Sequence, residues 1–414
     1  MTVQRNSQIR VRVRQVDGSP VASLRLWLWG GSRCESVAGL SWVTGRMLTE
    51  GTRGRGWREI AEECEALGAL LGSFGGIESH GIAIDCLARD WRFGIGLLEE
   101  LAFDSSFPEA RCRWVCTQGI AELDSLDDQP DACTAWAFNE QLYQPHACAR
   151  PRPGTRDSLA SISGADCEAH HRSRMGRGGV LVVAGDVNED EVRHAVGDRF
   201  RLTPTVASAE ETFVEWRGTG RDRQEISTPA VDQAHLFAGH VTVAMDHPDL
   251  PHLEVASIVL GSGAGLSGRI PARVREQEGL AYSASATLVL GAGLDPGRCV
   301  AHVGTSAETV ERAELCVREE MQRLVEDGMS DTEFEEARAY VLRREPFRRE
   351  TARQWAGLIA QGELYGQQLE DPEWVAERYR SLDRCAVEQA LRHHLRPDDL
   401  KIMVGLPGGA APAC

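Results

Sequence analysis

The stretch Val180-Leu-Val-Val-Ala-Gly-Asp-Val187 decides the fold, because a similar unit occurs again at the end of the chain. The second copy is Leu400-Lys-Ile-Met-Val-Gly-Leu406, and both apolar runs have the length and composition of a buried strand. A polar helical segment precedes each run and carries a histidine pair in both places, namely His170-His171 and His393-His394. The repetition predicts two related α/β halves.

The two halves also begin alike. An extended segment, Ile9–Trp29, leads to a helix near Val37–Leu48, and a strand-like segment, Ala234–Val243, leads to a helix near Leu253–Leu260. Between the halves, Thr203–Glu211 is rich in Thr, Pro, Ala, Ser and Glu, which is typical of a linker. We therefore place one domain at 1–205, a linker at 206–222 and a second domain at 223–414.

Composition excludes several classes of partner. The net charge of −17 argues against binding to nucleic acid or to an anionic membrane surface, because both require a basic footprint. No stretch reaches the ~18 apolar residues of a membrane-spanning helix, and the start of the chain lacks the apolar region of a signal peptide. We expect a cytoplasmic protein with neither a nucleic-acid nor a membrane partner.

Cysteine and histidine are arranged without an evident metal site. The 12 cysteines are scattered, so we expect reduced and mostly buried thiols, and no CxxC or nearby histidine pair accompanies Cys112 and Cys116. Adjacent residues on a helix point about 100° apart, so a His-His pair cannot chelate one metal as i, i+4 spacing can. We predict that this chain binds no metal.

A segment of the first half carries a resemblance to a known family. It consists of Gly31-Ser-Arg-Cys-Glu35 and Gly39-Leu-Ser-Trp-Val-Thr-Gly-Arg-Met-Leu-Thr-Glu-Gly-Thr52. It resembles the inverzincin peptidases, the insulinase and mitochondrial processing-peptidase group, whose frame there is roughly GSRxE followed by GLAHxxEHMLxxGT. In that motif two histidines one helical turn apart bind zinc, and a glutamate polarises the attacking water.

The resemblance places Trp42 at the first histidine, Gly45 at the glutamate and Arg46 at the second histidine. None of these is a zinc ligand, and a guanidinium would repel Zn²⁺. The family's third ligand, a glutamate on a later helix, matches Glu122. We predict that Glu122 pairs with Arg46, the alternative being one solvated acid among 62. Glycine costs ~1 kcal/mol against alanine within a helix, so Gly45 indicates close packing, with Trp42 as the candidate neighbour.

The second half contains Leu260-Gly-Ser-Gly-Ala-Gly-Leu-Ser-Gly-Arg-Ile270 and Arg273-Val-Arg-Glu-Gln-Glu-Gly-Leu-Ala-Tyr-Ser283. The glycine-rich turn lacks the lysine of a P-loop, which argues against a nucleotide site. The segment resembles the family's LGxGxxSRLxxxLRExxGLAYS motif, in which an arginine and a tyrosine hold the scissile carbonyl and its oxyanion. Arg275 and Tyr282 match that pair. The alternative is an ordinary helix-face arginine and an ordinary strand tyrosine.

The resemblance covers almost the whole chain and implies the family's fold and assembly. The fold is α+β, with two homologous α/β halves, each a mainly antiparallel sheet packed with helices. In the short-chain branch, two such chains form a clamshell around a closed chamber. The implied function is that of a non-metal-binding subunit of a heterodimeric zinc peptidase, inactive alone, which supplies the Arg/Tyr pair to a homologous partner.

That partner would carry the intact H-x-x-E-H motif and the zinc, and the substrate would be a peptide or leader peptide. The alternative is a non-proteolytic scaffold or peptide-binding subunit of a larger complex. An independent hydrolase is disfavoured, because the sequence contains no HExxH, no GxSxG and no credible Cys/His constellation.

Overall fold

The computed structural model describes residues 8–197, 199–200, 222–229, 232–263 and 268–408. The strands are β1 Ile9–Gln15, β2 Val21–Trp29, β3 Leu70–Gly75, β4 Ser79–Leu87, β5 Gly179–Gly185, β6 Asp222–Thr228, β7 Ala234–Val241, β8 Ala281–Leu290, β9 Arg298–Thr305 and β10 Lys401–Pro407.

The helices of the first half are α1 Leu40–Met47, α2 Trp57–Ala66, α3 Trp91–Phe103, α4 Glu109–Asp127, α5 Pro130–Tyr143, α6 Arg156–Ser161, α7 Gly164–Met175 and α8 Glu189–Val196. Those of the second half are α9 Leu250–Ser257, α10 Arg269–Pro271, α11 Val310–Glu326, α12 Asp331–Arg344, α13 Ala352–Tyr365, α14 Pro372–Arg380 and α15 Arg384–His394. Two π-helical turns, Ile258–Ser262 and Ala272–Gln277, continue α9 and α10.

Two five-stranded sheets repeat one topology. The first sheet has the order β1-β5-β2-β4-β3 and the second the order β6-β10-β7-β9-β8. In each sheet the first and last strands of the half run parallel, and all other neighbours are antiparallel. The predicted fold class, two α/β halves with mainly antiparallel sheets, is confirmed.

The apolar run that suggested the repeat lies inside the first sheet. Every residue of β5 is buried, because the strand pairs with β1 on one side and β2 on the other. In β2, the alternating residues Leu24, Leu26 and Leu28 are buried in the core. The opposite face carries Arg25, whose guanidinium donates to Asp85 of β4 at 2.8 Å, so even the charged face of this strand is covered.

The chain divides into two compact units that exchange one segment each. The first unit consists of Met1–Leu123, Pro151–Thr212 and Pro346–Asp371. The second consists of Asp124–Arg150, Phe213–Glu345 and Pro372–Cys414. Helix α13 thus packs on β2 and β5, whereas α5 packs on β7 and β10.

The predicted domains 1–205 and 223–414 contain the strands of the two sheets, except that β6 begins at Asp222. The exchange of α5 and α13 was not predicted, because an apolar helix face does not specify which of two similar sheets it covers. The rest of the predicted linker, 206–221, lies outside the described residues.

Within the described ranges, all eleven cysteines are thiols and eight of them are buried, as the sequence predicted. In the same ranges, no helix is both long enough and apolar enough to cross a membrane.

Candidate functional site

The glutamate of the GSRxE frame holds the start of helix α1. The carboxylate of Glu35 accepts the backbone N–H of Gly39 at 2.9 Å and that of Ser41 at 3.0 Å. These are two of the amide groups that a helix leaves without an intrahelical acceptor. Gly39 adopts φ +84°, a conformation that glycine takes without strain, so the frame residues orient α1 whether or not a metal is bound.

Trp42, at the position of the first histidine, belongs to the core of the first unit. Its side chain is buried, and its indole lies against Gly119 of α4 so closely that a Cβ there would approach the ring to 3.0 Å. The ring fills space between α1 and α4.

Gly45, at the position of the glutamate, is in close contact with strand β3. A Cβ at Gly45 would lie 2.3 Å from the carbonyl oxygen of Phe74 and 2.5 Å from the nitrogen of Gly75. In return, a Cβ at Gly75 would lie 2.2 Å from the carbonyl oxygen of Ser41. The predicted close packing is confirmed, but its partner is the β3 backbone and not Trp42.

Arg46, at the position of the second histidine, forms the predicted ion pair. Its guanidinium lies 3.4 Å from the carboxylate of Glu122 on α4, and the two side chains are 47% and 45% exposed. The guanidinium also lies over the indole of Trp42, 4.2 Å from the ring centre. A pair of this exposure contributes ~0.2–1 kcal/mol, and the cation–π contact adds ~0.5–1 kcal/mol.

These four positions do not fit a zinc ion. They offer one carboxylate, which already accepts from a cation, where a zinc site needs three protein ligands. In the part of the chain that the structure describes, neither group of potential metal ligands includes any of the four. Restoration of the metal would require new ligands at Trp42 and Arg46, both of which are committed to other contacts.

The first histidine pair is part of the core beside α1. Nε2 of His170 lies 3.0 Å from the hydroxyl of Ser41, and Nε2 of His171 lies 2.8 Å from the carbonyl oxygen of Ala102. Nδ1 of His171 lies 3.3 Å from Nε2 of His80. Burial lowers the pKa of His80 to about 3 and that of His170 to about 4, so both imidazoles are neutral at neutral pH.

The predicted Arg/Tyr pair lies in the second unit, on consecutive elements. Arg275 is half-buried in the π-helical turn after α10, and Tyr282 is the second residue of β8, the edge strand of its sheet. The register of β8 against β9 shifts between Ala281 and Ser283, so Tyr282 occupies a bulge. Bulges re-aim side chains and occur often beside active sites.

Both side chains are available to a ligand. Tyr282 is 88% exposed, although the large aromatic ring of a tyrosine is usually at least partly buried in a folded protein. Within the described ranges, neither the Tyr282 hydroxyl nor the Arg275 guanidinium has a polar partner, whereas the neighbouring Arg273 pairs with Glu278 at 2.8 Å. An unpaired phenol and an unpaired guanidinium are hydrogen-bond donors suited to a carbonyl oxygen or an oxyanion.

The second histidine pair has different surroundings from the first. His394, the last residue of α15, lies beside His247 and Asp249, and the three form one of the groups of potential metal ligands. The sequence signal was present in His247-Pro-Asp-Leu-Pro-His252, which places three potential ligands within six residues. The sequence analysis considered only the two adjacent histidines and missed this association.

Comparisons with known proteins agree with the fold. Residues 179–341 match the family described as the Peptidase M16 inactive domain. A solved structure described as the peptidase M16 inactive domain from Pseudomonas fluorescens superposes with a TM-score of 0.86 at 22% identity, covering 98% of this chain and 97% of the other. A protease from Helicobacter pylori superposes with the same TM-score of 0.86 at 15% identity, covering 98% of each chain.

Curated relatives have a similar sequence identity to this chain. The Uncharacterized zinc protease YmxG of Bacillus subtilis is 24% identical over 329 residues, which cover 76% of each chain. The Non-peptidase homolog YmxG of Helicobacter pylori is 24% identical over 338 residues, which cover 80% of this chain and 76% of the relative. The matching relatives thus include one named as a zinc protease and one named as a non-peptidase homolog.

Proposed function

We propose that this chain, a homologue of the M16 peptidases without a working zinc site of its own, is the accessory subunit of a heterodimeric zinc peptidase. In this function, Arg275 and Tyr282 act in the active site of a homologous partner that carries H-x-x-E-H and the zinc. The substrate is a peptide or leader peptide. The observation that carries the proposal is the exposed Tyr282 on its bulge together with the unpaired Arg275.

The altered motif supports an accessory function. A catalytic zinc site needs its ligands on one open face, and here the first position is buried against Gly119 while the third is paired with Glu122. A chain with these replacements in the motif can contribute to peptide hydrolysis only through groups other than a catalytic metal. Zinc is therefore expected in the partner.

The chemistry of Arg275 and Tyr282 supports a contribution to peptide cleavage. Attack on a peptide carbonyl places negative charge on its oxygen, and a donor aimed at that charge lowers the barrier by ~3 kcal/mol. Arg275 adds a guanidinium with several N–H donors, and Tyr282 adds an O–H donor. Strand β8 lies at the edge of its sheet, and an edge strand can pair with an extended peptide.

The test uses the full chain alone and together with a homologous H-x-x-E-H subunit. We expect no chelator-sensitive peptide cleavage by this chain alone and cleavage by the pair. In the pair, Arg275→Ala and Tyr282→Phe should each lower kcat by about 100-fold, the effect of removing one oxyanion donor. Arg275→Lys should recover little activity, because an ammonium lacks the planar fork of a guanidinium.

Tyr340→Phe is the matched control, since Tyr340 lies on α12 and its hydroxyl accepts from Arg344 at 2.8 Å. It should leave kcat unchanged. Chelator-sensitive cleavage by this chain alone, or a pair whose kcat is indifferent to both Arg275→Ala and Tyr282→Phe, would overturn the proposal.

A second candidate function is a non-proteolytic scaffold or peptide-binding subunit, which is favoured by the relative named as a non-peptidase homolog. The two functions differ in one measurement. A scaffold would bind extended peptides through β8 with an affinity that Tyr282→Phe leaves unchanged, and its complexes would show no chelator-sensitive turnover.

A further inference from the structure

Three ligand-type side chains meet in the second unit. Asp249 immediately precedes α9, His247 lies two residues before it, and His394 ends α15. Nε2 of His394 lies 2.8 Å from Oδ2 of Asp249, and Nδ1 of His247 lies 4.0 Å from the same oxygen. Nδ1 of His247 also accepts the backbone N–H of Asp249 at 3.1 Å, so an ion bound by this nitrogen would replace that hydrogen bond. One potential ligand atom from each residue lies within 4.8 Å of the other two.

A fourth side chain adjoins this group. Nδ1 of His252, in the first turn of α9, lies 4.0 Å from Oδ1 of Asp249. That nitrogen is buried and has no hydrogen-bond partner among the described residues. A buried polar atom without a partner is costly, so this nitrogen marks a polar site beside Asp249 that a bound water or ion would satisfy.

The surroundings suit a cation. His394 stands at the C-terminal end of α15, where the aligned peptide dipoles favour positive charge. The side chain of His394 is 11% exposed, whereas those of Asp249 and His247 are 33% and 37% exposed. The group is thus anchored on one side and open to water on the other, which leaves room for a solvent ligand.

We propose that His247, Asp249 and His394 bind one Zn²⁺ ion, with water in the fourth position. Two imidazoles and a carboxylate form a common ligand set for zinc sites that keep a water. Ligand atoms around a tetrahedral zinc with ~2.0 Å bonds lie ~3.3 Å apart, so the pair now at 2.8 Å separates slightly and the pair at 4.0 Å closes slightly. Rotations of the partly exposed Asp249 and His247 side chains provide both movements.

The bound ion would connect separate elements of the second unit. It would join the loop after β7 and the start of α9 to the end of α15, elements that pack together in the core of the second unit. It uses none of Trp42, Gly45, Arg46 and Glu122, so it differs from the zinc of the M16 motif. Because an ion that binds only the folded state stabilises it, added zinc should raise the melting temperature.

The test is a titration of the full chain, stripped with chelator and free of any histidine tag, with ZnCl₂ by isothermal titration calorimetry. We expect one ion per chain. His247→Ala, Asp249→Asn and His394→Gln should each weaken binding at least about tenfold. Cobalt(II) should give the intense visible absorption of a tetrahedral site, and that absorption should be lost in the same variants.

His393→Ala is the matched control, because His393 is the exposed neighbour on the same helix. It should bind zinc as the wild type does. No zinc binding by the wild type, binding that the three ligand variants leave unchanged, or an equal loss in His393→Ala would overturn the proposal. None of these measurements involves peptide cleavage, so failure here is distinguishable from failure of the proposed peptidase function.

Discussion

Replacement of Gly45 by alanine tests the closed packing of the altered zinc motif. In an open helix position this change stabilises a protein by ~1 kcal/mol, because alanine is the better helix former. At Gly45 the added methyl would lie 2.3 Å from the Phe74 carbonyl oxygen and 2.4 Å from its carbon. Both obstructing atoms are backbone, so no side chain can rotate away, and α1 must separate from β3.

The magnitude follows from two opposing effects. Overpacking of a close contact costs ~1–3 kcal/mol, and rigid backbone on both sides places this site at the upper end. After the gain in helix propensity, we expect a net destabilisation of about 2 kcal/mol. For a unit of this size, that corresponds to a fall in Tm of roughly 4–8 °C.

Gly96→Ala is the matched control. Gly96 also lies inside a helix, α3, but a Cβ there would meet no atom within 4 Å. This variant should gain up to about 1 kcal/mol, so the two alanines should shift Tm in opposite directions. Thermal unfolding followed by circular dichroism measures both. A Gly45→Ala chain as stable as the wild type would refute the contact between α1 and β3.

Three further predictions concern the same unit. A double-mutant cycle of Arg46→Ala and Glu122→Ala, measured by urea unfolding, should give a coupling energy of about 0.2–1 kcal/mol that falls with added salt; zero coupling at low salt would contradict the ion pair. Trp42→Ala should cost ~3–5 kcal/mol, far more than Arg46→Ala, and similar losses in the two variants would show that the indole is not part of the core. Lowering the pH from 7.5 to 5 should destabilise the chain, because His80 has a pKa of about 3 when folded and ~6.5 when unfolded. The unfolded chain binds the extra proton, so stability is complete above pH ~6.5 and decreases towards pH ~3, with His80 alone contributing about 2 kcal/mol of loss by pH 5. Stability that is flat across this range would contradict a neutral buried imidazole.

Much of the fold was predictable from the sequence because the two halves of the chain repeat the same pattern. The terminal strand after a helix with a histidine pair occurs in both halves, and the two sheets have the same strand order. The exchange of α5 and α13 was not predictable, since the sequence of a helix does not specify which of two sheets it covers. The alternatives differ in tertiary contacts such as the ion pair of Arg353 with Asp85 at 2.6 Å, which no local pattern reports.

At the altered motif, residue spacing predicted the ion pair correctly, but it did not predict how the side chains pack. Arg46 and Glu122 are 76 residues apart, and their pairing followed from the frame alone. The indole of Trp42 turned inward because Gly119 leaves space for it, and Gly45 faces β3 because Gly75 also lacks a side chain. These complementary glycines lie on separate elements, and only the folded chain brings them together.

The same packing argues that the metal function cannot be restored by point changes at the motif. A histidine in place of Trp42 would leave a cavity against Gly119, and any side chain in place of Gly45 would force α1 away from β3. A histidine in place of Arg46 would remove the partner of Glu122 while adding a single ligand. Each reversion therefore lowers stability before a zinc ion can compensate, since three ligands must be present together. Under the proposed function, the groups that act in the partner's site are therefore those of the second unit, where Arg275 and Tyr282 carry no such structural commitment.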